Sequence, residues 1–289
     1  MVAFESIDLQ SYLTVFRADD DVIRRLLEYR RWLVDERCHA RIEQTPYSPS
    51  RLWRDWQRQS ILGFGPGRIT LQSGHNFARA RSISRRDMVR KALRLRRREP
   101  SFHRHYPGYV LSADMEAIER EHPGVFWRTA EAIELCPARR IVRLLEVGAG
   151  AGVHVAMRNV AATVIDLPEV VPVAFLFLRS VRPDTSLSLP NEAHDADVKF
   201  LLPFQDPGDG FDLAFNMASF QEMEPPVVRA YLALMRERLA PGGIIQSLNA
   251  VQGRCGEGGY DFGSMRVDRH ATPYHNALGA DHICLIAQS

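Results

Sequence analysis

Three glycines stand at every second position directly after an apolar run, in the segment LLEVGAGAGVHV at residues 144–155. Glycine has no Cβ atom, so a backbone built from Gly148, Gly150 and Gly152 can approach a ligand closely and adopt torsions that other residues avoid. A carboxylate, Glu146, precedes the first glycine, where it suits a cationic group held by the turn. The pattern indicates a nucleotide-type binding turn at the end of a buried strand.

The glycine spacing differs from two common phosphate-binding patterns. A dinucleotide fingerprint that starts at Gly148 would need a third glycine at position 153, which is a valine. The segment also lacks the Lys-Ser or Lys-Thr pair of a P-loop. An acid does follow at a useful distance, because Asp166 ends the next apolar run. Nucleotide-binding folds place an acid on the ribose hydroxyls about 20 residues after the first glycine.

Polar side chains that could hold or activate a second substrate follow a later apolar run, in the segment NMASFQEM. Ser219 and Gln221 are candidates for hydrogen bonds to that substrate, and Asn216 begins the same segment. Glu222 is a candidate general base, since a carboxylate within hydrogen-bond reach can take a hydroxyl proton. Its alternative role is to stabilise the N-terminus of the helix that follows.

Three histidines are further candidates for contact with the second substrate. His270 and His275 are predicted to lie on the loop before the last strand, and imidazole has an unperturbed pKa suited to base catalysis. His75 stands in a glycine-containing turn of the N-terminal part and is a candidate substrate contact. Ordinary loop histidines are the alternative for each of them.

The elements that must position these residues fall into two predicted domains. Residues 1–138 are predicted to be mostly helical. They are also predicted to cover the second substrate as a lid and to mediate a homodimer. Residues 139–289 alternate short apolar strands with helices, which predicts an α/β fold with a doubly wound, mostly parallel, Rossmann-like sheet. The strands are predicted at 141–147, 162–168, 210–216, 244–249 and 282–288, with weaker candidates in TSLSL and VKFLL.

The pattern Glu146-x-Gly148-x-Gly150-x-Gly152 resembles motif I of class I methyltransferases that use S-adenosylmethionine. The segments IDLPEV at 165–170, N-x-x-SFQEM at 216–223 and GG-x-x-x-x-x-N at 242–249 are similar to a family of proposed sugar O-methyltransferases from antibiotic deoxysugar pathways. The resemblance covers mainly residues 140–250. It implies S-adenosylmethionine as cofactor and methyl transfer to a hydroxyl of a sugar or glycosylated natural product. The cofactor contacts that it implies are Glu146, Gly148, Ala149, Gly150, Gly152, Asp166, Leu167, Asp195 and Asn216.

Composition limits the other function classes. The chain has 289 residues and a formal net charge of +2, with an excess of basic residues before residue 140 and of acidic residues after it. No apolar run is long enough to cross a membrane, and no basic and apolar signal pattern opens the chain, so a cytoplasmic protein is expected. No Cys/His spacing indicates a metal site, and none is predicted.

Two other functions stay open at this point. The basic segment at 79–98 would suit an RNA methyltransferase, although it has no aromatic residues interleaved for base stacking. A dimer that binds the cofactor without catalysis is the second alternative. Small-molecule acceptors remain the favoured partners.

Overall fold

The structure is a computed structural model. It describes residues 2–8, 13–50, 53–54, 61–72, 129, 132–133, 135–136, 140–158, 160–250, 260–271 and 282–288. Among these residues, no helix combines the length and the apolar character needed to span a bilayer.

An eight-stranded sheet forms the larger unit, in the order β11-β12-β10-β9-β5-β6-β8-β7. Its strands are β5 (Arg143–Val147), β6 (Ala161–Ile165), β7 (Leu187–Ser188), β8 (Val198–Leu201), β9 (Phe211–Met217), β10 (Leu239–Ala250), β11 (Arg266–Ala271) and β12 (His282–Gln288). Strands β7, β8, β6, β5, β9 and β10 are parallel, and β12 and β11 add an antiparallel edge. The predicted Rossmann-like, doubly wound, mostly parallel sheet is confirmed.

Helices connect the parallel strands. These are α3 (Val153–Arg158), α4 (Val171–Val181) and α5 (Pro225–Arg238), and a 3₁₀ turn, Phe220–Glu222, precedes α5. Proline stands in the first turn of both α4 and α5, where its missing N–H leaves no intrahelical bond unmade. Nearly every side chain of α4 is buried, because the helix packs between the sheet and the N-terminal part.

The N-terminal part differs from the mainly helical prediction. Two helices, α1 (Asp20–Asp35) and α2 (Cys38–Glu43), are present, and α1 begins at the predicted run of acids. A four-stranded antiparallel sheet is present as well, in the order β1-β2-β4-β3. Its strands are β1 (Val2–Asp8), β2 (Leu13–Ala18), β3 (Ile61–Gly65) and β4 (Arg68–Gln72). In β2 and β4 the buried residues alternate with a period of two, as at Phe16 and Ala18 or Ile69 and Leu71.

The N-terminal part packs against the larger sheet on the side of α4. Phe16, Leu26 and Tyr29 share one buried apolar cluster with residues of α4 such as Phe175. Arg25 of α1 adds a two-pronged ion pair with Glu192, at 2.7 and 2.6 Å, in which both side chains are largely buried. The prediction of a domain boundary near residue 138, and of a lid or dimerisation role, stays a prediction.

Candidate functional site

The strand order reverses between β5 and β9, and this reversal locates the candidate site. From β5 the chain continues outward through β6 and β8, and it later crosses to the other side of β5 to form β9 and β10. In open α/β sheets the crevice beyond the carboxyl ends of the strands at such a point is where ligands bind. Two segments lie at this point. One is the glycine turn, residues 148–152, which follows β5, and the other is the β9 loop, residues 216–222, at the end of β9.

The three glycines of the glycine turn are required for different reasons. All have positive φ, at 69°, 59° and 74° for Gly148, Gly150 and Gly152. A Cβ on Gly148 would lie 2.7 Å from the Cβ of Ser219, and one on Gly152 would meet Leu178 of α4 at 3.3 Å. Among the described residues, no other atom would lie within 4 Å of a Cβ on Gly150. Of the three glycines, Gly150 is therefore the one with an open backbone face in this part of the chain.

Asp166 reaches the glycine turn from the end of β6. Its Oδ2 accepts a hydrogen bond from the Gly150 N–H at 3.0 Å, and its Oδ1 accepts one from the Leu167 N–H at 2.8 Å. Burial raises the pKa of Asp166 to about 7, although these backbone donors act in the opposite direction. The Ala149 N–H also acts on this carboxylate, which has about four acceptor positions, so at least one remains for a hydroxyl donor.

Glu146 lies beneath the turn, near the end of β5, and only 2% of it is exposed. Burial, followed by the charge of nearby Asp166, raises its pKa to about 8. Within the described part of the chain, its Oε2 atom has no hydrogen-bond partner. The Nδ1 atom of His154 lies 3.5 Å from this oxygen. A buried acceptor without a donor is costly, which indicates a role beyond packing.

Asn216 at the end of β9 has used its whole hydrogen-bonding capacity inside the protein. Its Nδ2 donates to the Val147 carbonyl at 2.8 Å and to the Ser219 hydroxyl. Its Oδ1 accepts from the Phe220 N–H at 3.3 Å and from Asn249 Nδ2 at 2.9 Å. No donor or acceptor of this amide is left for a ligand. Asn216 therefore positions the β9 loop, and the prediction that it contacts the cofactor directly has no support from its geometry.

The remainder of the β9 loop is tied to β10. The Gln221 N–H donates to Asn249 Oδ1 at 3.2 Å, and Gln221 Oε1 accepts from the Ala250 N–H at 2.7 Å. Ala218 has a φ of 61°, a strained conformation for a residue with a Cβ. Such strain persists where the surrounding contacts fix the backbone, and here those contacts bring Ser219 against Gly148.

Glu222 is half-buried on the 3₁₀ turn, and its N–H donates to the Ser219 carbonyl at 3.0 Å. It lies just before the first turn of α5, so both of its predicted roles, general base and helix N-terminal acid, are compatible with its location. The catalytic assignment of Glu222 stays a prediction.

Asp195 and His270 are not brought to the glycine turn. Asp195 precedes β8 and thus lies at the amino edge of the parallel sheet, where its exposed carboxylate pairs with Lys199 at 2.7 Å. His270 belongs to edge strand β11 rather than to a loop, and it is paired with Cys284 of β12. Three strand spacings, about 14 Å, separate β11 from β9. Predicted site residues His75 and His275 lie outside the described residues.

Ala149 and Leu167 lie at the carboxyl ends of β5 and β6, and their predicted contact with the cofactor stays a prediction. Both are half-buried, Ala149 within the glycine turn and Leu167 directly after Asp166. The Leu167 N–H is already bonded to Asp166, so its side chain is the part that remains for a ligand.

The N-terminal helices also touch the segment after β6, which the sequence reasoning missed. The Tyr29 hydroxyl donates to the Pro168 carbonyl at 3.1 Å, and His39 Nε2 lies 2.6 Å from a carboxylate oxygen of Glu169. The hydrogen bond to Glu169 raises the pKa of His39. These contacts place α1 and α2 beside Asp166, which no local motif indicates. Among the described residues, no group of three His, Cys, Asp or Glu side chains could hold a metal ion.

Comparisons with known proteins give similarity in fold at low identity. No protein-family model and no curated protein matches the chain. A proposed O-methyltransferase from Nostoc punctiforme PCC 73102 aligns at 11% identity with a TM-score of 0.43, over 62% of this chain and 61% of that chain. The O-methyltransferase TomG from Streptomyces achromogenes, in complex with S-adenosylmethionine, aligns at 15% identity with a TM-score of 0.41, over 56% and 79%.

The S-adenosylmethionine-dependent methyltransferase SibL, in its apo form, aligns over most of both chains. The alignment covers 93% of this chain and 96% of that chain, at 15% identity and a TM-score of 0.41. At these scores the alignments assign no activity and no residue role to this chain.

Proposed function

We propose that this chain is an S-adenosylmethionine-dependent O-methyltransferase that acts on a hydroxyl of a sugar or glycosylated natural product. The observation that carries the proposal is the meeting of an open glycine backbone and an acid at the switch point of a parallel sheet. Gly150 supplies that backbone, and Asp166 supplies the acid from the neighbouring strand. This combination suits a nucleoside with a free ribose.

The residues present fit this cofactor at three points. The open face of Gly150 accommodates the close approach of a ligand, since a side chain there would fill the space. Asp166 has at least one acceptor position left for the ribose hydroxyls. The Oε2 atom of Glu146, which has no hydrogen-bond partner among the described residues, suits the ammonium group of the methionine part. S-adenosylmethionine, when bound, supplies an electrophilic methyl group on a sulfonium.

The chain's own contribution to transfer is alignment and proton removal. The β9 loop is fixed by Asn216 and Asn249, so a group carried on it is held within narrow limits beside the glycine turn. A sugar hydroxyl is a poor nucleophile at neutral pH, and a base within hydrogen-bond reach lowers its barrier. Glu222 is the candidate base on this loop, and Ser219 and Gln221 are candidates for holding the acceptor. His75, His270 and His275 remain sequence-based candidates.

The choice of oxygen and of a sugar acceptor is supported by the similarity of IDLPEV, N-x-x-SFQEM and GG-x-x-x-x-x-N to the proposed sugar O-methyltransferases. A role of the N-terminal part as a lid is supported by the contacts of Tyr29 and His39 with residues 168 and 169. A homodimer is part of the proposal and is supported by sequence alone.

Calorimetric titration with S-adenosylhomocysteine tests the cofactor assignment. Asp166→Ala should weaken binding by tens-fold or more, because it removes charge-assisted hydrogen bonds worth about 1.5–3 kcal/mol. Asp166→Asn keeps one acceptor oxygen and should lose less. Asp184→Ala changes an exposed acid of the loop after α4 and serves as the matched control.

Thermal unfolding of each variant separates lost binding from lost fold. Unchanged affinity in a folded Asp166→Ala protein would contradict the assignment. Formation of S-adenosylhomocysteine with free or linked deoxysugars then tests the acceptor class.

A further inference from the structure

A histidine lies over the sheet directly beside Glu146. Glu146 of β5 is the register partner of Phe215 on β9, so the two side chains share one face of the sheet. Helix α3 crosses that face, and the ring of His154 stacks on Phe215 with centroids 3.6 Å apart and an interplanar angle of 13°. This stacking holds the His154 Nδ1 atom 3.5 Å from Glu146 Oε2. Both side chains are almost fully buried.

Arg158, one helical turn further along α3, fixes the proton arrangement of the ring. Its Nε donates to His154 Nε2 at 3.1 Å. A guanidinium has donors only, so Nε2 must be the acceptor and a neutral ring carries its hydrogen on Nδ1. That hydrogen is available to Glu146 and, in the described part of the chain, to no other acceptor. The separation of 3.5 Å is longer than a formed hydrogen bond and leaves room to tighten.

The charged surroundings of Glu146 make such a donor useful. The ionisable groups that face it among the described residues are His154 and Arg158 from α3 and Asp166 from the end of β6. Burial and the charge of Arg158 hold the pKa of His154 well below its usual range, so the ring stays neutral. An ionised Glu146 would otherwise face Asp166 with no hydrogen bond from the described residues to its Oε2 atom to offset the lost hydration.

We propose that Arg158 and His154 form a relay that positions Glu146 and stabilises its carboxylate when the site takes up the ammonium group of the cofactor. The proposal rests on the proposed function and adds a second layer of residues to it. His154 touches neither the acceptor nor the transferred methyl group in this scheme, so it is a positioning residue. It acts by donating the Nδ1 hydrogen to Glu146, and no proton leaves the ring.

Three variants separate this role from simple packing. His154→Phe keeps an aromatic ring on Phe215 and removes the donor. His154→Asn places an amide donor at the position of Nδ1 and should restore part of the function. Met157→Leu changes a buried apolar residue on the same helix and is the matched control. Affinity for S-adenosylhomocysteine, which retains the ammonium group, is measured by calorimetry across pH.

His154→Phe should bind S-adenosylhomocysteine roughly tenfold more weakly at neutral pH, since a hydrogen bond to a charged group is lost. Affinity should rise with pH as Glu146 ionises, and the midpoint of that rise should lie about one pH unit higher in His154→Phe than in the wild type. His154→Asn should return the midpoint toward the wild-type value, and Met157→Leu should not move it. An unmoved midpoint in His154→Phe would overturn the proposal.

A second measurement needs no ligand. The pKa of Glu146 is raised in the folded state, so its contribution to stability is complete below about pH 4.5 and is lost as the pH rises through about 8. His154→Phe should extend that loss to higher pH, and Glu146→Gln should remove the part that Glu146 contributes. If the wild type binds no S-adenosylhomocysteine, the proposed function fails, while this pH window still tests the relay. If the wild type and His154→Phe lose stability over the same pH range, the relay is refuted.

Discussion

The glycine turn and the β9 loop end neighbouring parallel strands and face the same crevice, yet they use their polar groups in opposite ways. The β9 loop binds itself: Asn216 makes four hydrogen bonds, all to protein atoms. At the glycine turn, as far as the described residues show, Glu146 has an oxygen without a hydrogen-bond partner and Gly150 has an open backbone face. A polar residue at the edge of a site can thus bind a ligand only where it has hydrogen-bonding capacity left. The β9 loop is suited to positioning, and the glycine turn is suited to binding.

The largest expected effect comes from breaking the β9 loop at Asn216. Asn216→Ala leaves the Phe220 N–H without its side-chain acceptor and removes one of two partners from the Val147 carbonyl and from Asn249 Nδ2. A buried group without a partner costs about 1–3 kcal/mol and the weakened network adds to it, so the free energy of unfolding should fall by about 3–5 kcal/mol. Urea denaturation at constant pH measures this loss.

The matched control is Asn191→Ala, which changes a half-buried asparagine whose Oδ1 atom has no hydrogen-bond partner among the described residues. It should cost about 1 kcal/mol or less. Equal stability of the two variants would show that the Asn216 network does not hold the loop in place, and the contrast with the glycine turn would be lost.

A smaller effect is expected where the two regions touch, at Gly148. Alanine there would adopt a φ of 69° and place its Cβ 2.7 Å from that of Ser219. The left-handed backbone costs about 1–2 kcal/mol and the contact adds to it, so Gly148→Ala should lose about 2–4 kcal/mol in urea denaturation. Ser219→Gly removes the obstructing atoms. The double variant should therefore be more stable than the sum of the single changes predicts, and strict additivity would contradict the contact.

The sequence predicted the strands and the motif positions of these two regions better than the hydrogen bonds that their polar residues form. Strand β12 has the predicted bounds, and β5, β6 and β9 lie within a few residues of theirs, because buried parallel strands are short apolar runs. Glycines 148, 150 and 152 follow β5, and Asp166 follows β6, because both facts depend on local order along the chain. The bond from Asn216 to Asn249 depends on the pairing of β9 with β10, which no local pattern specifies.

Other differences have equally specific causes. Asp195 was predicted as a cofactor contact from the resemblance, whereas β8 begins after it, which puts it at the opposite edge of the sheet. The N-terminal sheet was missed because its strands are only five to seven residues long. His154 followed the glycines in an apolar segment, and only the stacking on Phe215 reveals its proximity to Glu146.

The smallest expected effect on stability is at Gly150, and it sharpens the comparison most. Gly150→Ala introduces a side chain at a φ of 59°, and no other atom of the described residues lies within 4 Å of it. The substitution should therefore cost only about 1–2 kcal/mol of unfolding free energy. The same methyl group enters the space in which the proposed cofactor approaches the backbone. Affinity for S-adenosylhomocysteine, measured by calorimetry on the folded variant, should therefore fall by tenfold or more although the fold is little disturbed. Gly148→Ala, by contrast, should lose more unfolding free energy than Gly150→Ala does. A methyl group placed where the ligand lies must weaken binding. Wild-type affinity in Gly150→Ala would therefore mean that the ligand does not lie against the open face of the turn.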